Sequence, residues 1–527
     1  MKRNAQNLYR LPFTVGAVLW VVLLGGLWLA SGCRARPQAV TLTVLAGSEL
    51  KDLEPLLPDL RDKTGVELKM SYTGTLEGVD RLLNGEKFDL AWFSHAKYLL
   101  LRDPKLAVAQ ERIMLSPVVM GVKTSKAKAW GWDKSVTWKA IAEKSAAGQL
   151  RFAMTNPATS NSGFTGLLGV WAALSGKSDA AQGNEVGPQA LKGFFRGQAA
   201  TAGSSGWLAD SYVQQQDRLD GLINYESVLL SLNQGGKLRE PLTLLYPAEG
   251  VVTADYPLIL LNAAQREAFS KAVAYLKQPD LQKKIMEMTL RRPVTASVTL
   301  SSAFPNALLV ELPFPASALA VDGILSQYFA EQRRPAHSFF VLDVSGSMAG
   351  QRLQGLQQAI LNLAGADTST TGQYARFQPR EEVTVITFSN RINPPKEFRI
   401  GRGQNDPQLS QMRGYVKSLR ADGGTAIYSA LQQAYTLLQQ AQSQEPERIY
   451  SVVLMTDGEN NQGIDLNSFV SFYNGLSGGA RAAHIFPILF GEGNKAEMER
   501  LAQATGGRVF DGRNSLAAAF KEIRGYQ

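Results

Sequence analysis

Cysteine and histidine are nearly missing from this chain of 527 residues: there is one cysteine, Cys33, and three widely separated histidines, His95, His337 and His484. A single cysteine excludes an intrachain disulfide and any thiol-rich metal centre. Three scattered histidines argue against a His-based zinc site. Blocks of like charge are also missing. The formal net charge is +9, yet the lysines and arginines are spread through apparent helices and loops. That is the pattern of a solvated basic surface, not of a nucleic-acid interface. No nucleophile elbow, catalytic carboxylate pair or phosphate-cradling loop of the required spacing is found, so the chain reads as a binding protein and not an enzyme. After residue 38 no stretch is long and apolar enough for a membrane span or pore.

What is present is an ordinary globular balance, 45% hydrophobic and 19% charged residues. The length exceeds the ~250 to 300 residues over which one hydrophobic core keeps growing, so two domains with short additions are expected. Residues 1–38 form a separate segment. Lys2, Arg3 and Arg10 precede an uncharged run from Leu11 to Ala30, which as a helix would be about 30 Å long, enough to cross a bilayer core. The run closes on Leu29-Ala30-Ser31-Gly32-Cys33. This resembles the bacterial lipobox, in which the cysteine is lipidated, although Ala30 stands where that family usually has an aliphatic residue and Leu29 lies one step further away. The run is longer than the ~7 to 15 apolar residues of a cleaved signal, which keeps an uncleaved helical anchor as the alternative. Both readings tether the folded part to the outer face of the membrane.

Residues 39–300 alternate strand and helix: VTLTVLA at 40–46, a helix through Leu60, VELKMSY at 66–72, a helix through Leu83, and DLAWFS at 89–94. Alternation of this kind predicts a parallel sheet covered by helices. A crossing to a second lobe is expected near residues 115–119 and a return near 246–250. The pieces Gly47-Ser48, Ser116-Pro117, residues 155–163 before an apolar helix, Asn224-Tyr225-Glu226 and Asp255-Tyr256-Pro257 resemble bacterial extracellular solute-binding proteins with two crossovers. The resemblance implies two lobes with a ligand cleft between them. Ser160, Asn161 and Ser162 bring hydroxyl and amide groups to a helix start, where they either cap the helix or meet a small polar or anionic solute. Ser48, Thr75 and Ser116 complete the candidate ligand set, and Thr73 has similar standing. Trp92, Trp171 and Trp207 are read as core.

Residues 301–335, with prolines 305, 313 and 315 and a short apolar helix, read as a linker. Residues 336–527 then show four buried-strand runs at 338–344, 382–388, 449–455 and 484–490, separated by amphipathic helices, which is an open doubly wound α/β sheet. At the strand ends stand Asp343-Val344-Ser345-Gly346-Ser347, Gly423-Gly424-Thr425 and Thr456-Asp457-Gly458. In this order and spacing they resemble the metal-ion-dependent adhesion site of von Willebrand factor type A domains. The resemblance makes Ser345, Ser347 and Thr425 hydroxyl ligands and gives Asp343 and Asp457 the carboxylates that act through bound water. Such hard oxygens suit Mg2+, with Mn2+ or Ca2+ as substitutes. A cation left short of negative charge attracts an acidic side chain of a protein partner. Asp422, Glu459 and Asn460 are read as solvated loop residues.

The fold expectation is therefore α/β throughout: a two-lobed periplasmic-binding-protein-like domain followed by a doubly wound, Rossmann-like von Willebrand factor A domain. The functional expectation is a membrane-tethered extracytoplasmic binding protein. The alternative is the substrate-binding component of a solute importer, with the C-terminal domain as a docking accessory.

Overall fold

The computed structural model describes residues 39–175, 188–403, 406–491 and 493–527. Cys33, the expected lipidation site, and the whole N-terminal segment lie outside the described residues.

The first lobe opens with β1 (Val40–Gly47) and β2 (Val66–Thr73), followed by helix α1 (Thr75–Leu83), β3 (Leu90–Trp92) and β4 (Ala109–Arg112). The strand β5 (Met114–Lys123) then begins the second lobe, which adds β6 (Phe152–Thr155), α2 (Asn161–Ser175), β7 (Gln198–Ala202), α3 (Ser205–Gln214), β8 (Gly221–Tyr225), β9 (Leu242–Leu245) and β10 (Val252–Ala254). The chain returns through β11 (Pro257–Leu260), and the short β12 (Arg292–Pro293) closes onto β5. Two sheets result: β2-β1-β3-β11-β4, and β10-β5-β8-β6-β7 with β9 and β12 also paired to β5. The outward crossing lies in β5, where the sequence places it. The return lies several residues later than expected, because the 246–250 turn leads into β10, which still pairs antiparallel with β5, and only β11 rejoins β3.

The segment read as a linker is not a free tether. Its helix α4 (Ala318–Gln327) buries Val321, Ile324 and Leu325 in the core of the first domain. Asp322 of this helix accepts from Tyr98 and Arg102, which pins it to the first lobe.

The C-terminal domain comprises β13 (Ala336–Asp343), α5 (Gln351–Leu361), α6 (Thr370–Ala375), β14 (Glu382–Phe388), β15 (Lys396–Arg399), α7 (Ile427–Gln444), β16 (Ile449–Thr456), β17 (His484–Leu489), β18 (Phe510–Asp511) and α8 (Leu516–Ile523). The sheet order is β15-β14-β13-β16-β17-β18, parallel except for β15 at the edge. Successive side chains of a strand point to opposite faces. Phe340 and Leu342 accordingly join one core with α5 and α8, while Phe339 and Val341 join another with α7. This two-sided burial explains why the strands read as unbroken apolar runs. The edge strands β15 and β18 were not anticipated: β15 (Lys-Glu-Phe-Arg) has a mostly exposed, charged pattern and β18 is two residues long.

The C-terminal domain rests on both lobes of the first. On the first lobe, Thr371 N donates to Asp80 on α1 at 3.0 Å. On the second, Asn156 donates to the Arg524 carbonyl at 3.2 Å, Arg218 donates to the Gly478 carbonyl at 2.6 Å, and Trp207 meets Tyr526 edge to face at 4.8 Å between ring centroids. The seating segment at Arg524 is itself held by a buried charge cluster. Arg524 donates to both carboxylate oxygens of Glu381 at 2.8 and 2.7 Å, Arg333 pairs with the same carboxylate, and the Gln378 amide donates to it at 3.0 Å.

Candidate metal centre and solute cleft

The five residues singled out in the C-terminal domain converge at the C-terminal edge of its sheet. Asp343, fully buried, ends β13; Ser345 and Ser347 occupy the turn that follows. The Ser345 amide donates to Asp343 Oδ1 at 2.8 Å and Thr456 Oγ1 donates to Asp343 Oδ2 at 2.6 Å, so both carboxylate oxygens are oriented by neighbours. Ser345 Oγ lies 3.1 Å from Ser347 Oγ, which donates to Asp457 Oδ1 at 2.8 Å. Thr425 reaches the same spot from the loop before α7: a Cβ built on Gly458 would lie 3.7 Å from Ser347 Oγ and 3.8 Å from Thr425 Oγ1.

Glycine is needed in that loop. Gly423 has φ +81°, a left-handed conformation that other residues adopt with strain, and its carbonyl accepts from the Gly346 amide at 2.9 Å, closing the loop onto the serine turn. Two asparagines finish the arrangement. Asn461 accepts from the Thr425 amide at 2.8 Å, and Asn460 accepts from the Ile427 amide at 2.9 Å while donating to the Ile464 carbonyl. Asn460 is thus a structural organiser of the site and not the solvated loop residue expected from sequence. Its backbone-capping role follows from the uncapped start of α7, which no local residue satisfies. Arg352 was also missed: its guanidinium, 2.5 Å from Asp457 Oδ2, pairs with that carboxylate. Its position as the second residue of α5, just after the serine motif, was the available signal.

Burial raises the Asp343 pKa above its ordinary 3.8, the hydrogen bonds from Ser345 and Thr456 oppose this, and the neighbouring Asp457 adds to it. Two enclosed carboxylates beside three hydroxyls form an all-oxygen donor set short of positive charge, which fits a hard divalent cation. Among the described residues no three His, Cys, Asp or Glu side chains gather as a metal group. Ser345, Ser347 and Thr425 with the two aspartates are the residues that would hold such a cation.

In the two-lobed domain the six candidate ligand residues separate into four groups. Thr75 and Asn161 bind each other across the cleft: the Thr75 amide and hydroxyl donate to Asn161 Oδ1 at 2.6 and 2.5 Å. Asn161 in turn donates to Glu49 at 2.9 Å, and Tyr225 donates to Glu49 at 3.1 Å, which makes a lobe-to-lobe latch. Ser116 lies within the second lobe at 3.2 Å from Ser227 Oγ, while Ser162 bridges Thr155 at 2.8 Å and Ser205 at 2.7 Å, with Ser160 Oγ 3.3 Å away. Ser48 alone of the six lines the large cavity described next. Glu49, the hub of the latch, was not singled out in the sequence. The residue is partly exposed, but its carboxyl is enclosed by protein, and this desolvation raises its pKa above 4.5 against the bonds from Asn161 and Tyr225. Trp92 and Trp171 are core residues as expected, whereas Trp207 packs between the domains.

A cavity of about 610 Å³ opens where both lobes meet the C-terminal domain. Lobe one lends Ser48, Lys51 and Thr73, lobe two lends Thr159 and residues 203–206, and the C-terminal domain lends Thr371, Arg508, Lys521 and Tyr526.

Comparison with known proteins fits both halves. Residues 42–288 match the model for bacterial extracellular solute-binding protein, and residues 339–524 match that for the von Willebrand factor type A domain. The chain joins a solute-binding domain to a von Willebrand factor A domain. Both matched families are binding and adhesion domains. Inter-alpha-trypsin inhibitor heavy chain H3 of Homo sapiens is 28% identical over 211 residues, covering 39% of this chain and 22% of that protein. Heavy chain H3 of Pongo abelii is 30% identical over 178 residues, covering 32% and 19%. The chain thus spans about a fifth of the length of these relatives. Among solved structures, the ferric binding protein from Campylobacter jejuni is 15% identical with a TM-score of 0.42, covering 55% of this chain and 98% of that one. The periplasmic binding protein AfuA from Actinobacillus pleuropneumoniae is 13% identical with a TM-score of 0.42, covering 55% and 97%.

Proposed function

We propose that this protein is an extracytoplasmic binding protein whose A domain captures an acidic side chain of a protein partner through a divalent cation, while its two-lobed domain holds a small polar or anionic solute. The observation that carries this reading is the convergence of Asp343, Ser345, Ser347, Thr425 and Asp457, drawn from three separate chain segments, at the C-terminal ends of β13 and β16. Ser347 is solvent-exposed while both aspartates are buried, so the arrangement presents an opening outward and keeps its negative charge inside. Magnesium favours such hard oxygen donors, and neutral hydroxyls leave it positive enough to attract a carboxylate. Nothing in this scheme calls for bond making or breaking.

Tethering belongs to the same proposal. Among the described residues no helix is long and apolar enough to cross a membrane. Attachment is assigned to residues 1–38, through lipid on Cys33 or through the Leu11–Ala30 run as a helix. Fatty-acid labelling that disappears in Cys33→Ala supports the lipid, and a membrane-bound, unlabelled wild type supports the helix.

The partner reading is tested by capture from native membranes with magnesium, with chelator, and with Asp343→Ala. Capture in magnesium alone, lost in both other conditions, is the expected result. Equal metal affinity of wild type and Asp343→Ala by calorimetry, with capture indifferent to chelator, refutes it.

A further inference from the structure

Both oxygens of Asp457 are engaged by side chains, and the two partners differ in kind. Ser347 Oγ donates to Oδ1 at 2.8 Å, and Arg352 Nη1 donates to Oδ2 at 2.5 Å. Ser347 is one of the hydroxyls that would ligate a cation. Arg352 is itself a cation, since a guanidinium does not lose its proton in proteins. The pair is also lopsided: the Asp457 side chain has no exposed surface, whereas that of Arg352 is 37% exposed. Water cannot reach Asp457 to stabilise its charge, and a long side chain that comes in from the surface does so instead.

The placement of Arg352 is not explained by its own helix. It is the second residue of α5, which starts after Gly350 without a side-chain cap and has no acidic residue in its first turn. The helix dipole favours a negative group there and disfavours a positive one. The backbone opposite is cut back to receive the guanidinium: a Cβ built on Gly491, whose φ is +60°, would lie 3.3 Å from Arg352 Cζ and 3.1 Å from Asp457 Cβ. Asp422 and Glu459 stand on the neighbouring loops, but both are exposed and their charges are screened by water. The buried charge of the site is therefore set by Asp343, Asp457 and Arg352.

We infer that Arg352 competes with the divalent cation for Asp457 and lowers the affinity of the site, so that loading follows the concentration of the ion and is not permanent. The inference rests on the metal-site reading proposed above and adds a residue that is not one of the five candidate ligands. Two ionised aspartates give the donor set two negative charges, and Arg352 cancels one of them. An entering cation meets a like charge in contact with one of its own carboxylates, in surroundings where water screens little. If Arg352 stays, the two cations repel; if it swings out, which its partial exposure permits, the pair with Asp457 is given up. Either course costs ion affinity, and neither is open to a neutral side chain of similar length.

The test is calorimetric titration of the full chain with magnesium and with manganese chloride, at fixed ionic strength, for wild type, Arg352→Gln and Arg352→Lys. Glutamine keeps an N–H donor for Asp457 without the charge, and lysine keeps the charge without the planar fork. Arg352→Gln is expected to bind both ions at least roughly tenfold more tightly than wild type, and Arg352→Lys to stay within about threefold of it. Melting temperatures provide a second readout. With chelator, Arg352→Gln should melt below wild type, because a buried carboxylate has lost its counter-charge, and magnesium should raise it by more than it raises wild type. A residue that merely braced α5 against the loop would give the opposite pattern, with Arg352→Gln binding the ion no better and melting lower in both conditions. Ion binding by wild type that is unchanged or weaker in Arg352→Gln therefore overturns the competition and leaves the metal site standing. If neither wild type nor either variant takes up magnesium or manganese, the metal-site reading falls and the competition falls with it.

Discussion

Replacing Glu381 by alanine is the sharpest test of how the A domain is held in its seat. The carboxylate is 2% exposed and is the shared partner of Arg333 and Arg524, themselves 6% and 5% exposed. Removing it leaves two guanidiniums buried with no counter-charge, a change that costs about 3 to 5 kcal/mol when one partner of a buried pair is deleted. For a domain of ~150 to 250 residues each kcal/mol lowers the melting temperature by about 2 to 4 °C, so a fall of roughly 6 to 20 °C is expected for the A-domain transition by scanning calorimetry. Because the Arg524 carbonyl is the acceptor for Asn156, amide exchange should rise in residues 524–527 and 156–160 together. The pH dependence has a definite sign. Burial alone would raise the Glu381 pKa, but Arg524 and Arg333 outweigh it and hold the group below 4.5. Its contribution is therefore full above that value and is lost as pH falls through the depressed folded-state pKa, a loss the variant should not show. A cost under about 1 kcal/mol would refute the reasoning, and so would a cost equal to that of replacing all three residues by leucine or methionine, since an apolar swap of the whole cluster should be close to neutral.

Other outcomes follow from the same geometry. Asp343→Ala should keep the far-ultraviolet circular dichroism of the wild type but lose the thermal stabilisation by magnesium, which at a hundredfold excess over Kd amounts to about 2.7 kcal/mol; retained stabilisation would remove Asp343 from the metal site. Glu49→Gln should flatten the pH profile of stability: the folded-state pKa of Glu49 is raised, so its protonated form favours folding below about 4.5 and the benefit disappears as pH climbs through the folded value. A variant with the wild-type pH profile by chemical denaturation would contradict this. Gly163→Ala should destabilise the second lobe by about 1 to 3 kcal/mol, because the added Cβ would lie 2.2 Å from the Thr155 carbonyl oxygen at the tight turn from β6 into α2; an unchanged denaturation midpoint would show that the turn relaxes freely.

Most of the fold is legible in the sequence because burial on both faces of a parallel sheet leaves long apolar runs, and the four main A-domain strands fall where those runs lie. The candidate metal motif is legible for a related reason: Asp343 and Asp457 stop their apolar runs abruptly at the strand ends. What was hidden depends on distant pairing. The edge strand β15 carries Lys396, Glu397 and Arg399 on its exposed positions and resembles a loop until it pairs with β14. Asn460 has the composition of a solvated turn, and its capping of α7 exists only once the loops are folded together. In the cleft, helix-start serines announce polar chemistry without saying who receives it; Ser160 and Ser162 spend theirs on each other and on Thr155 and Ser205. The participation of Lys521 and Tyr526 in a cavity with Lys51 could not be read from spacing, since the docking of two domains leaves no periodic trace.

The oxygen cluster of the A domain also bears on the order in which the chain acquires structure. Ser347 and Asp457 are 110 residues apart in sequence, and Asp343 and Thr456 are 113 apart, with Thr425 supplied from between them. Contacts of such long range need extensive loop closure and form slowly. Neither half of the sheet can assemble the set alone: β13 must lie beside β16 before the two aspartates share one place. On the metal-site proposal, uptake of the ion during refolding would follow closure of the central strand pair, and a fluorescent magnesium indicator read at successive delays would time that event without any label on the protein.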